Sequence, residues 1–496
     1  MGTITFQLPS RLDDETAGEL AKACLAGGPD SMPWPTDTRV EDSRLVLRRS
    51  VEDSGFLVVP WEIPGVGRVM GTTTTLMERT APYQFEVELA RGKVNQLRCQ
   101  AADWEAGGLF LSPALADKIR NVSLSFGRAV TRPPSAEAAA LAESTLALAY
   151  ATAEGLIQTY VDQMFQNRHL RQAQLDSTLA CCLGPAPLVP GHADLVAQAC
   201  NSVSLPVTWK LVEPSEGNYQ WNTWDTLLAW AQGRGLDVLA GPLIDFTPSQ
   251  LPDWLWLWER DLSSLANFMC DYVETTVKRY RGRVQAWQVT GAANCASLLG
   301  LGEDEFLWLT LRLADVARQN DPQAELVVGV SQPWGEYMAK EDRTHSPLVF
   351  VDTLLRSGLN LGAIDLELVL GVSPRGSYCR DLLDTSRLLD TYSLLGLPLR
   401  VTLGYPSQTG DDPLSEAEIS VGAGRWRDGP SQPNQAAWAT AYTALCLCKP
   451  WVRGARWVHF SDAEPHQFPF CGLVDAAGRE KAVLRSLREL RRTHLR

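Results

Sequence analysis

The sequence predicts a (β/α)8 barrel, preceded by a small β-rich, sandwich-like region and a long connecting helix. Three observations predict it. From residue 175 onward, strand-like and helix-like segments alternate eight times over roughly 320 residues, a spacing that points to a closed parallel sheet ringed by helices. Residues 135–173 are rich in Ala and Leu and contain no Pro, a composition that favours helix. Residues 1–131 carry short apolar runs broken by Gly and Pro, as a β-rich domain does. At 496 residues the chain exceeds one ordinary domain. The expected segments are 1–131 (β-rich, possibly carbohydrate-binding-like), 132–174 (helix) and 175–496 (barrel).

In the first segment the expected strands include 44–47, 56–59, 83–89 and 122–126. Residues 83–89, Tyr83-Gln84-Phe85-Glu86-Val87-Glu88-Leu89, alternate with period two. Residues 13–26 read as a helix. Pro133-Pro134 ends the segment, and Ser135 is placed to cap the long helix with Glu137 in its first turn. The eight barrel strands are expected at 177–183, 204–209, 237–244, 284–290, 325–330, 363–370, 399–403 and 455–461. Helices are expected between them, including 223–233, 261–280, 303–318, 346–357, 379–395 and 435–448, with 481–492 closing the series.

Charge and composition narrow the function. The net charge of −13 argues against a nucleic-acid or anionic-membrane partner. The basic run from Arg485 to Arg496 reads as the solvated face of a last helix. No apolar run reaches the roughly 18 residues a membrane helix needs. The stretch Met1-Gly2-Thr3-Ile4-Thr5-Phe6 has no basic segment followed by an apolar one, so no secretory signal is expected. The 11 cysteines, scattered through predicted elements, suit reduced thiols in a cytoplasm. No motif calls for a cofactor, and the oligomeric state is not legible.

Several segments resemble family 10 glycoside hydrolases, the retaining endo-xylanases. Trp287-Gln288-Val289-Thr290-Gly291-Ala292 resembles the family's Trp-x-Val-x-Asn-Glu strand, with Gly291 at its Asn and Ala292 at its acid/base Glu. Val401-Thr402-Leu403-Gly404 resembles the strand that presents the nucleophile in a Thr-Glu step, with Leu403 at that Glu; a shift of one residue brings no carboxyl to either place. Trp209-Lys210 through Glu213-Pro214 and Gly217-Asn218-Tyr219, then Asp225, Leu251-Pro252-Asp253-Trp254 and the ending from Trp457 to Lys481, are similar to further family segments. In Gly241-Pro242-Leu243-Ile244-Asp245-Phe246, Pro242 stands at a substrate-binding His, and Leu370-Gly371-Val372 occupies the region of another. The resemblance implies the barrel fold and a sugar-binding mouth. Retaining hydrolysis needs two carboxyls, and the resemblance implies that neither is present.

Barrel sites are built at the C-terminal ends of strands. The acidic candidates there are Asp245, Glu336, Glu367 and Asp462. Glu367 shares a strand face with Asp365 and is either ion-paired, with Arg400 as a neighbour, or aimed into the mouth. Asp245 is either a cap or a ligand contact, and Asp462 either a loop cap or a site carboxyl. Glu336 lies in the loop Gln332-Pro333-Trp334-Gly335-Glu336-Tyr337. Trp209, Trp287, Trp334, Tyr337, Tyr405 and Trp457 are aromatic candidates for stacking on sugars; Lys210, Asn294, Gln332 and His459 are polar ones. His459 and His466 bracket Asp462, without the spacing of a metal motif. The cluster Trp254-Leu255-Trp256-Leu257-Trp258 reads as packing after the third strand. Three functions remain: a pseudo-glycosidase binding a saccharide or other polar ligand; an active glycosidase with a relocated carboxyl pair; and a non-catalytic scaffold.

Overall fold

The computed structural model describes residues 2–9 and 12–496. The barrel strands are β1 (Thr178–Cys182), β2 (Ser202–Leu205), β3 (Asp237–Ala240), β4 (Ala286–Gly291), β5 (Glu325–Val330), β6 (Ala363–Val369), β7 (Leu399–Gly404) and β8 (Val452–Trp457). All pair in parallel around the ring, and β3 returns to pair with β4, so the sheet closes. A short continuation of β3, Ile244–Asp245, pairs with the end of β4. The expected strand and helix series is present, with boundaries moved by a few residues. Most residues of these strands are buried, and their outward faces pack on the helices.

Side chains alternate along each strand, and the inward ones form layers. Leu239, Ala286, Val327 and Ala363 make an apolar floor. Above it lies a polar layer from even-numbered strands: Ser204 on β2, Gln288 on β4, Asp365 on β6 and Arg456 on β8. The Arg456 guanidinium pairs with Asp365 and donates to Ser204 Oγ at 2.8 Å, Gln288 Oε1 at 3.0 Å and Thr402 Oγ1 at 2.8 Å. Thr402 in turn donates to Asp365 at 2.9 Å. Gly329 on β5 gives this layer its room, since a Cβ there would meet Gln288 Nε2 at 2.5 Å.

The first part of the chain is less β-rich than expected. A four-stranded sheet orders Thr36–Glu41, Arg44–Arg49, Gly2–Gln7 and Tyr83–Gln84. A five-stranded sheet contains Cys24–Gly27, Met32–Pro33, Gly55–Ile63 and Gly67–Thr72, and takes its last strand, Arg425–Trp426, from the segment after β7. The strand expected at 83–89 ends at Gln84; Phe85–Ala106 is a helix. Its first residues, Phe85 to Ala90, are all buried, so the alternation reported no exposed face. The strand expected at 122–126 lies inside the helix Pro113–Val130. There Leu115, Val122 and Ala129 are buried; their seven-residue spacing marks one helix face. The helix expected at 13–26 stops at Glu19, runs through one 3-10 turn, and gives way to the buried strand Cys24–Gly27.

The long helix is Ala136–Arg171, capped by the Ser135 side chain, which accepts from the Ala138 amide. It packs against both preceding helices and against Gln432–Cys448 of the barrel. Among the described residues, no helix is long and apolar enough to cross a membrane.

Removing one member of a buried ion pair leaves the other charge unpaired. Arg456→Met is therefore expected to cost about 3–5 kcal/mol of unfolding free energy, measured by urea denaturation. A loss under about 1 kcal/mol would mean that the polar layer is dispensable.

Candidate functional site

A cavity of about 440 Å³ opens at the C-terminal end of the barrel. Its floor is the polar layer, with Gln288, Asp365, Thr402 and Arg456 exposed from below. Its walls include Trp209, Lys210, Pro242, Asp245, Ala292, Glu367, Arg375, Glu416, His459 and Glu464. The volume is within the range of ligand pockets.

The strand ends decide what the mouth presents. Gly291 ends β4, and a Cβ there would meet Pro242 Cγ at 3.0 Å and Asp245 Cγ at 3.3 Å. Asp245 thus fills the space that a side chain at 291 would take. Ala292 follows in the left-handed region, φ 55°, and lines the cavity with a methyl group. On β7, Thr402 faces inward, bonded to Asp365. Leu403 therefore points outward; it is buried in the main core, and β7 packs on the helices Leu382–Ser393 and Gln432–Cys448. Above β6 to β8 a second apolar cluster forms from Val369, Val372, Ile419, Phe468 and Cys471, with Val458 against it.

Glu367 stands one turn of the pleat above Asp365 and lines the cavity. It is half-buried, and desolvation first, then the Asp245 charge, pushes its carboxyl up to about 7 despite the opposing Arg375. Arg400 is not its partner: it binds Glu325 at 2.6 Å, at the opposite end of the barrel. Burial likewise raises Asp245, opposed by Arg375. Arg375 reaches both Asp245, at 4.0 Å, and Glu416, at 3.3 Å.

The remaining expected residues divide by place. Trp209, Lys210 and His459 line the cavity with Asp245 and Glu367. Trp209 also stacks on Tyr272 at 5.0 Å and donates to Glu213 at 2.7 Å, and Lys210 is held by Asp253 at 2.6 Å. Trp287 faces outward and donates to Asp321. Asn294 ties the loop after β4 to Ser331, donating to its carbonyl at 2.8 Å and accepting from its amide at 3.0 Å, while the Tyr337 hydroxyl donates to the Asn294 carbonyl. Gln332 donates to Gly376 O at 3.0 Å. Glu336 accepts from Arg380 at 2.8 Å and the Tyr378 amide at 3.0 Å. Trp334 lies under Arg380 and lines a different cavity, between the helix Phe85–Ala106 and the helix Leu382–Ser393. Tyr405 accepts from the Trp426 amide, and Trp457 donates to Cys471 O. None of these eight lines the mouth cavity. The tryptophan cluster is a 3-10 segment, Asp253–Trp258, with Leu257 exposed.

Asp462 is committed elsewhere. It pairs with Lys481, accepts from the Gly472 amide at 2.6 Å, and contacts His459 at 3.4 Å. Burial alone would raise its carboxyl; His459 and Lys481 outweigh that and bring it down to about 2. Burial holds His459 down to about 4. Possible ligand atoms of His459, Asp462 and His466 lie within 4.8 Å of one another, but the Lys481 ammonium occupies Asp462, and His466 is bound to Asp412 at 3.0 Å. Sequence reasoning missed Arg375, Glu416 and Glu464. They lie in loops whose convergence no local pattern marks.

Residues 177–329 match the model of Glycosyl hydrolase family 10. The chain is similar to endo-1,4-beta-xylanase C of Paenibacillus barcinonensis, 26% identical over 238 residues, covering 42% of this chain and 21% of that protein. It is also similar to endo-1,4-beta-xylanase B of Humicola insolens, 30% identical over 120 residues, 24% of this chain and 32% of that one. The chain thus spans about a fifth to a third of the length of these curated relatives. Among solved structures, the family 10 protein from Paenibacillus barcinonensis covers 65% of this chain and 96% of its own at 18% identity, TM-score 0.49. Xylanase 10B from Thermotoga petrophila, solved with xylobiose, covers 67% and 96% at 15% identity, TM-score 0.47. The chain carries a closed (β/α)8 barrel. Over residues 177–329 it resembles glycosyl hydrolase family 10.

The Glu367 proton has a consequence for stability. With a folded value of about 7 against 4.5 in the free chain, the group's contribution is complete below about pH 4.5 and is lost as pH rises through 7. Glu367→Gln is expected to remove that decline. Between pH 5 and pH 8 the wild type should lose about 1–3 kcal/mol more than the variant, measured by urea denaturation. Parallel profiles would show that Glu367 ionises normally.

Proposed function

We propose that this chain is a pseudo-glycosidase: a family-10-type barrel that binds a saccharide in its mouth and does not perform retaining hydrolysis. The observation that carries this reading is the chemistry of two strand ends. Retention needs an acid/base and a nucleophile about 5–5.5 Å apart. Gly291 and Ala292 end β4, and Thr402, Leu403 and Gly404 end β7. On the family resemblance, these are the places of the two glutamates. The apolar cluster of Val369, Val372 and Phe468 above β6 to β8 supports the same reading, because a carboxylate nucleophile there would be desolvated without a partner.

The polar lining of the cavity favours a ligand over a pure scaffold. Trp209 and a set of carboxyl, guanidinium and amide groups in one cavity suit a polyhydroxylated molecule. Unpaired cysteines at all 11 positions fit a reducing, cytoplasmic setting.

One observation favours a second reading. Glu367, protonated near neutrality, shares the cavity with Asp245, an arrangement that offers an acid and a base for a relocated hydrolysis.

A screen of the full chain against xylo-, cello- and manno-oligosaccharides separates the readings. Stabilisation on heating without cleavage, with products read by mass spectrometry, is expected. Cleavage that disappears in Glu367→Gln would establish the second reading, and no response to any sugar would return weight to the scaffold.

A further inference from the structure

We propose that the mouth selects a polyhydroxylated ligand carrying a protonated amine, such as an oligosaccharide of amino sugars, over a neutral one. The inference rests on the reading of the mouth as a saccharide site and names the class of saccharide.

The charges around the cavity do not balance. Arg456 is taken by Asp365 in the floor, and Lys210 is drawn to Asp253 at 2.6 Å. Among the described residues lining the cavity, that leaves Arg375 as the cation facing the carboxyls of Asp245, Glu416 and Glu464. Arg375 is nearest Glu416, at 3.3 Å, and stands 4.0 Å from Asp245. His459 and His466 do not restore balance: His459 is held neutral by burial, and His466 already has Asp412.

The hydrogen-bond inventory points the same way. Asp245 Oδ1, Glu464 Oε2 and His459 Nδ1 are buried and have no hydrogen-bond partner, and all three residues line the cavity. His459 is itself only 8% exposed. Carboxylate oxygens can only accept, and a neutral imidazole has one accepting nitrogen. A buried acceptor left unmade is costly, so the complementary ligand is rich in donors. An ammonium brings three donors and the charge that the carboxyls lack. Hydroxyls would be read by the amide and hydroxyl groups of Gln250, Gln288 and Ser249.

Isothermal titration of the full chain at pH 7 tests this with four probes: a glucosamine disaccharide with free amines, its N-acetylated form, xylobiose, and spermidine. The free-amine disaccharide is expected to bind roughly ten- to a hundredfold more tightly than its acetylated form and xylobiose, and more tightly than spermidine. Asp245→Asn is expected to shrink that preference by about tenfold. Equal affinity for the free and acetylated forms overturns the inference and leaves the saccharide reading intact. Spermidine binding as tightly as the amino sugar overturns the hydroxyl requirement. Failure of every sugar to bind overturns both. The wild-type comparison stands whether or not the variant folds.

Discussion

A guanidinium buried inside the barrel is the constraint on which the site depends. Arg456 carries five donors on a side chain only 11% exposed, so most of its acceptors must come from within the barrel. Asp365, Ser204, Gln288 and Thr402 supply them from four strands. This requirement fixes which residues of β2, β4, β6, β7 and β8 face inward. It also places glycine at 329, where Gln288 leans across. A register slip of one residue in any of these strands would turn its inward set outward and strand a buried charge.

The same constraint reaches the mouth. Because Thr402 is held inward by Asp365, Leu403 is committed to the packing between barrel and helices. Because Asp365 faces inward, so does Glu367, two residues further up β6. The mouth therefore receives its carboxyls from β6 and from Asp245, against Gly291, instead of from the ends of β4 and β7. Loops after β6 and β7 then bring Arg375 and Glu416 over these groups, while Ile419 and Val372 build an apolar cover beside them. On the proposed reading, a barrel built for hydrolysis keeps its frame and has exchanged its chemistry for recognition.

The barrel was legible in the sequence because eight buried strands and amphipathic helices repeat at a regular spacing. The long helix was legible from composition and from Ser135. The helices at 85–106 and 113–130 were not. Phe85-Glu86-Val87-Glu88-Leu89 alternates like a strand, yet tertiary packing buries both of its faces. Val122 to Phe126 belongs to a seven-residue pattern wider than the window in which it looks β-like. Within the site, Asp245 and Glu367 were legible because strand ends form barrel mouths. Glu336 and Asp462 were plausible by residue type but are bound by Arg380 and Lys481, partners 44 and 19 residues distant. Sequence distance of that kind hides an ion pair, just as it hid Arg375 and Glu416.

The most direct measurement is the release of phenol from an aryl β-xylobioside with a good leaving group, comparing wild type with Asp245→Asn and Glu367→Gln. Such a substrate needs little help from a general acid, so it reports on whether a nucleophile in the mouth, or a water activated by a base there, can attack the sugar. A binding barrel without a catalytic pair gives release no faster than buffer in all three proteins, while the wild type still binds the intact xylobioside. Release by the wild type that falls by two or more orders of magnitude, roughly the weight of a catalytic group, in either variant would contradict it and establish a relocated active site.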